Sequence, residues 1–266
     1  MTLRTPGTRS CAAILGVVTL LAGCGAAPAA LPSGVQPDQY LAEQGSLALA
    51  NQDWYEARLH FQQLLDSYPQ SPLRPEAKLG MGDAFFAEDS PASYVQAINE
   101  YREFLTFYPS NPRAAYAQYR IGMANYNQMR RAERDQSKTE DAIEEFEIFL
   151  ERYPNSELMP EVRTKLRDAR DRLSASQYLV GYFYFRQRWY PGAIIRFRDI
   201  LERDPEFTGR DAIYFYLAEA LYQIQRGAEA LPYYERLIAE FEQSAYIETA
   251  WERVRELKAD ETQPNP

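Results

Sequence analysis

The 266-residue chain is poor in the residues that most chemistry needs. It has two cysteines, Cys11 and Cys24, and one histidine, His60. One histidine cannot build a multi-histidine zinc site, and His60, one residue before Phe61 on a helix face, reads as a solvated or edge position. No Gly-x-Ser-x-Gly and no phosphate-cradling glycine loop occurs. Carboxylates such as Glu144-Glu145, or Asp168 with Asp171, alternate with Arg and Lys at helical spacing, the pattern of solvated, ion-paired faces. The chain is therefore expected not to be an enzyme and to hold no cofactor and no metal. Basic residues are also short, 29 Lys and Arg against 38 Asp and Glu, a net charge of −9. That balance repels phosphate backbones and anionic lipid heads, so no nucleic-acid partner is expected and any membrane attachment needs acyl chains.

The marked apolar run, Ala12 to Leu21, is too short to span a bilayer and follows Arg4 and Arg9, the order of a secretory signal. It ends in Leu21-Ala22-Gly23-Cys24, which resembles a bacterial lipobox. The resemblance implies that residues 1–23 are a lipoprotein signal peptide and that Cys24 carries lipid. Gly25 is compatible with transfer to the outer membrane, since an aspartate there favours inner-membrane retention in many Gram-negative bacteria. The mature chain would hold 27 basic and 38 acidic residues, net −11, and no free cysteine for a disulfide or thiolate site. Residues 24–37, rich in Ala, Pro and Gly, read as a flexible tether. Residues 38–258 are uniform in composition and long enough for a sizeable core, and 259–266 read as a frayed tail.

A period runs through 38–258. An Ala is followed four residues later by an aromatic and twelve residues later by Pro: Ala57, Phe61, Pro69; Ala97, Tyr101, Pro109; Ala142, Phe146, Pro154; Ala193, Phe197, Pro205. A fifth copy, Ala230 and Tyr234, has Glu242 in place of Pro, as a degraded last repeat should. A small residue precedes each Ala: Gly45, Gly181 and Ala218 by twelve, Gly82 by fifteen, Gly122 by twenty. The extra residues are expected in interhelix loops, at Glu88 to Ser93 and Arg130 to Thr139. Ala and aromatic at i and i+4 share a helix face, and Pro stops the helix just beyond. Each helix pair exposes an apolar face that only the next pair covers. Tyr246 to Lys258 reads as a closing helix with Ile247, Trp251 and Val254 on one face.

These marks are similar to the tetratricopeptide repeat, a helix pair of about 34 residues. The expected fold is all-α, a right-handed superhelix of about five such pairs plus a closing helix. Together with the lipobox and tether, the chain resembles the BamD family of outer-membrane assembly lipoproteins. Its marks are the Tyr68-Pro69-Gln70-Ser71 and Tyr153-Pro154-Asn155-Ser156 endings, the Arg167 to Leu173 segment running into Tyr182-Phe183-Tyr184 on one long helix, and Trp189 to Arg196. The resemblance implies a periplasm-facing, lipid-anchored outer-membrane scaffold. Its amino-terminal repeats would recognise unfolded outer-membrane proteins, and its carboxy-terminal repeats would dock on the barrel subunit BamA beside other assembly lipoproteins. Arg196 aligns with a fourth-repeat arginine linked to regulation of that partner. The competing reading is another periplasmic tetratricopeptide adaptor, for cell-wall synthesis, secretion or polysaccharide export.

In such arrays the first helix of each pair lines the concave face. The expected inward positions are Gln39, Ala42, Ser46 and Leu49; Glu76, Leu79, Asp83 and Phe86; Tyr116, Tyr119, Met123, Tyr126 and Asn127; Tyr178, Tyr182, Phe185 and Arg186; and Phe215, Glu219 and Tyr222. The groove is aromatic, and the Lys and Asn set that clamps a terminal carboxylate in chaperone-binding arrays is missing. Tyrosine offers an apolar face with a polar tip, suited to an extended segment of alternating polarity. Phe86, Tyr116, Tyr119, Met123 and Tyr126 are the expected client groove, and Arg196, Tyr182, Phe185 and Arg186 the expected partner-docking residues.

Overall fold

A computed structural model describes residues 35–262. Cys24 and most of the tether lie outside the described residues. Eleven α-helices and no strand occur among them: α1 Pro37–Ala50, α2 Trp54–Ser67, α3 Arg74–Ala87, α4 Pro91–Phe107, α5 Ala114–Tyr126, α6 Ser137–Arg152, α7 Met159–Arg186, α8 Tyr190–Arg203, α9 Arg210–Gln223, α10 Gly227–Glu240 and α11 Ile247–Thr262. Each helix packs on the next in sequence, and α1–α3, α5–α7 and α7–α9 also touch. This is the tetratricopeptide stack of five pairs, closed by α11.

The repeated small residue and aromatic are one device. Gly45, Gly82, Gly122 and Gly181 lie flat against Phe61, Tyr101, Phe146 and Phe197, so close that a Cβ would come within 2.5–2.6 Å of the ring. These rings, with Tyr234 in the fifth pair, are at most 1% exposed. The repeat Ala residues are fully buried beside them, which lets the paired helices approach.

The turns answer for the rest of the pattern. Ser71, Ser156 and Ser244 each accept, on the hydroxyl, the N–H two residues ahead (3.1–3.3 Å), and Asn111 does so with its side-chain carbonyl (2.8 Å). These local bonds open the next helix. Ser71 and Ser244 also donate to Asp38 and Asp211 of the preceding first helix. The same turn therefore ends α10 at Glu240 without proline.

Two expectations are corrected. The extra residues before Ala97 do not enlarge a loop: Pro91 at the start of α4, with a Ser90–Ser93 capping box, lengthens the helix instead. Only the third repeat gains a loop, between α5 and α6. In α11 the buried stripe is Ala250, Val254 and Leu257, while Trp251 is half-exposed and the helix runs on to Thr262.

α7 is 28 residues long, twice its counterparts. Val162 and Leu166 in its first half pack on Phe146 and Phe149 of α6. Tyr178, Tyr184 and Phe185 in its second half pack with Phe197 of α8. One helix thus closes one stack and opens another.

Candidate functional site

The expected groove residues lie on α3 and α5 and fall into two layers, Phe86 with Tyr116 between those helices, and Tyr119, Met123 and Tyr126 facing the α6–α7 cluster. In the first, Phe86 is half-buried, edge-on to Tyr94 at 5.1 Å, with the Arg120 guanidinium 3.6 Å over its ring. Tyr116 donates to Asp83 at 2.7 Å. Asp83 also accepts from the repeat aromatic Tyr101 at 2.6 Å and faces Arg120 at 3.6 Å. Burial, then the Asp83 charge, pushes the Tyr101 and Tyr116 phenols up, so both stay protonated donors. These groups form a closed polar knot.

The second layer is open. Tyr119 donates to Glu161 and Tyr126 to Asp168, both at 2.6 Å, and these bonds are solvent-exposed. Lys165 lies 4.7 Å over the Tyr126 ring, and Arg172 reaches the Arg130 carbonyl at 3.3 Å. Met123 is half-buried against the Phe146 cluster. Burial, then the Asp168 bond, pushes the Tyr126 phenol up to about 12. The result is a ladder of phenol tips, carboxylates and two cations along the α5–α7 seam. Such a surface can trade its exposed bonds for those of an extended chain while its rings supply apolar contact.

Glu161, Lys165, Asp168 and Arg172 were missed by the sequence reading. Their spacing is that of one helix face, but nothing local announces that the first half of a double-length helix faces the groove. Other expected inward positions are core: Ala42 and Leu79 are buried, and Glu219, 8% exposed, accepts from Tyr234 (2.5 Å) and Arg253 (2.9 Å). His60 is half-buried on α2, an edge position, with its Nδ1 enclosed and without a hydrogen-bond partner among the described residues.

A second surface lies at the far half of α7. Tyr182 and Phe185 turn inward, at 4.9 and 5.1 Å from the Tyr216 ring, and Phe185 meets Tyr190 at 5.6 Å. Arg186 and Arg196 are exposed. The outward aromatics are others: Phe183 (57% exposed) and Trp189 (56%), with Val180 and Ile195 also exposed. Phe183, Tyr184 and Trp189 form a continuous chain of rings, and Trp189 packs on Gly192, one turn before Arg196 on the same face of α8. In an unbroken array the preceding pair would cover this flank. Here α6 ends against the first half of α7, so the flank stays bare, rimmed by Arg186, Arg188 and Arg196.

Residues 35–230 match the family model described as YfiO, outer membrane lipoprotein. The chain belongs to that family. Among YfiO-family relatives, the outer membrane protein assembly factor BamD of Caulobacter vibrioides is 30% identical, over 82% of this chain and 71% of that protein. BamD of Rickettsia prowazekii is 24% identical, over 63% of this chain and 66% of that protein. Among solved structures, the TPR2AB domain of yeast Sti1, in a complex with pHSP90, covers 84% of this chain and 83% of its own at 15% identity and a TM-score of 0.45. Family membership supports association with the outer membrane and a role in outer membrane protein assembly. Among the described residues no helix is long and apolar enough to cross a membrane.

Proposed function

We propose that this protein is a periplasm-facing scaffold of outer-membrane β-barrel assembly, anchored by lipid on Cys24. Unfolded outer-membrane proteins lie along the α5–α7 seam, and the barrel subunit BamA docks on the bare flank around Phe183, Trp189 and Arg196. Other assembly lipoproteins complete the complex. The observation that carries the reading is the pairing of two exposed surfaces of different chemistry on two stacks that share α7. The hydrogen-bonding aromatic ladder suits a segment of alternating polarity, as barrel strands are. The apolar flank with a basic rim suits one folded partner, because a patch of exposed aromatics is costly unless covered.

The test uses the membrane-anchored protein. Replacing Tyr119 and Tyr126 with Ala should lower affinity for a peptide copied from a barrel strand about tenfold, while recovery of BamA on pull-down is unchanged. Phe183→Asp with Trp189→Ala should do the reverse. Unchanged peptide affinity in the folded Tyr119/Tyr126 variant removes the groove assignment. Recovery of cell-wall or export subunits without BamA replaces the function.

A further inference from the structure

A third surface takes no part in either site. On the outer side of the array, α4 and α6 flank a cleft of about 360 Å³ with Asn125 of α5 at its floor. The corresponding seam between α8 and α10 is bridged where α10 begins, by Arg198 to Glu229 at 2.9 Å, and Glu229 also accepts from Arg226. In α4 the matching arginine, Arg102, bridges to Glu145 at 2.7 Å, one turn further along α6, and the cleft lies beside that bond.

The floor is polar: Asn125 is 3% exposed, and the equally buried Gln118 lies behind it and holds Glu145 of the lining. The Gln118 amide donates to the Glu145 carboxylate (2.7 Å) and carbonyl (3.1 Å), and Lys138 donates to Asn125 (3.2 Å) and Asp141 (2.8 Å). On the α4 side, buried Ile98 and half-exposed Val95 make an apolar patch beside Asn99 and Arg102. The charges do not balance. Arg102 and Lys138 are each matched by a carboxylate, while exposed Glu144 at the rim has no ion-pair partner among the described residues. Glu140 and Glu151 extend that exposed stripe along α6, also without ion-pair partners among the described residues.

We infer that this cleft receives an arginine or lysine side chain from a partner protein whose segment lies along α6. The aliphatic stem packs on Val95 and Ile98, and the charged head reaches Glu144. An apolar patch ending at an unmatched carboxylate fits a long basic side chain, which buries its stem and keeps its charge at the rim. The remaining acidic stripe steers the approach and makes it salt-sensitive.

The test places the photo-crosslinking residue p-benzoylphenylalanine at Val95 in the full, membrane-anchored chain in cells. Adducts are mapped to the residue on the partner. The expected result is one partner segment bearing Arg or Lys, with adduct yield falling about fivefold in Glu144→Lys and less in Glu144→Gln. Both variants lie at an exposed rim, and circular dichroism checks that they fold. No adduct, adducts that ignore charge reversal, or adducts joining two copies of this chain would each overturn the inference. None of these outcomes bears on the groove or the bare flank, which are read by other variants.

Discussion

The two stacks that share α7 solve the same packing problem with different seams. In the first, the α5–α7 seam is tyrosine against carboxylate, with the bonds at the surface. In the second, the α7–α9 seam is ring against ring: Tyr178, Tyr182 and Phe185 of α7 meet Tyr216 of α9 at 6.2, 4.9 and 5.1 Å. Burial, then the bond and charge of Tyr246, raises the Tyr216 phenol, as expected where rings exclude water. A seam made of rings is sealed. A seam made of hydrogen-bonded tips stays exchangeable. In the function proposed above, the first stack offers this exchangeable seam and the second its uncovered flank.

The comparison can be broken hardest at the glycines. Gly122→Val and Gly181→Val should each cost about 3 kcal/mol, because each drives carbon into a buried ring. Native-state hydrogen exchange should show the first loosening α5 and α6 while α9 to α11 stay protected, and the second the reverse. Uniform loosening in both would mean that α7 welds the stacks into one unit.

Next in size is the clamp at the middle of α7. Arg167 holds Asp204 with two bonds, 2.8 and 2.5 Å, and Ser174 adds a third at 2.7 Å. Burial opposes ionisation of Asp204, but these bonds and the charges of Arg167 and Arg170 outweigh it, so its carboxyl sits below the ordinary value. Asp204→Asn should cost about 2 kcal/mol at neutral pH. A depressed folded value means the contribution is complete above the unfolded value of about 3.9 and is lost as pH falls through the lower folded one. Urea unfolding of wild type and variant should therefore converge at acid pH.

A subtler contrast concerns the residue after each small mark. Where the repeat aromatic is tyrosine, that residue is an acid, Asp83 with Tyr101 and Glu219 with Tyr234. Where it is phenylalanine, the residue is Ser46, Met123 or Tyr182. Tyr101→Phe should cost about 1–2 kcal/mol by leaving Asp83 short of a donor. Tyr101→Phe with Asp83→Met, the third repeat's pairing, should cost less than the two changes summed, as a thermodynamic cycle would show.

The smallest effect should be the same in both stacks. Gln52 (φ 66°) and Gln225 (φ 62°) occupy left-handed backbone in the three-residue turns after α1 and α9. Glycine at either should stabilise by about 0.5–1 kcal/mol in thermal melts. A gain at only one would show that the turns are not equivalent.

Much of the fold was legible because its signals are periodic and local. Small residue, Ala, aromatic and stop recur in phase, and each rests on contacts within one helix pair, so helix count, pairing and the Gly122–Phe146 type of contact follow from spacing. The groove was half legible. Tyr119 and Tyr126 declare themselves by helical spacing, but their partners Glu161 and Asp168 lie 42 residues on and read as ordinary surface charge. The sequence by itself determined an acidic helix-pair array. Only the tertiary structure decided that the residues before Ala97 lengthen a helix, that Tyr182 and Phe185 face inward while Phe183 and Trp189 face out, and that α7 ends one stack and begins the next. The reason is physical: helical periodicity fixes which residues share a face, but what covers that face depends on where the neighbouring helix stops.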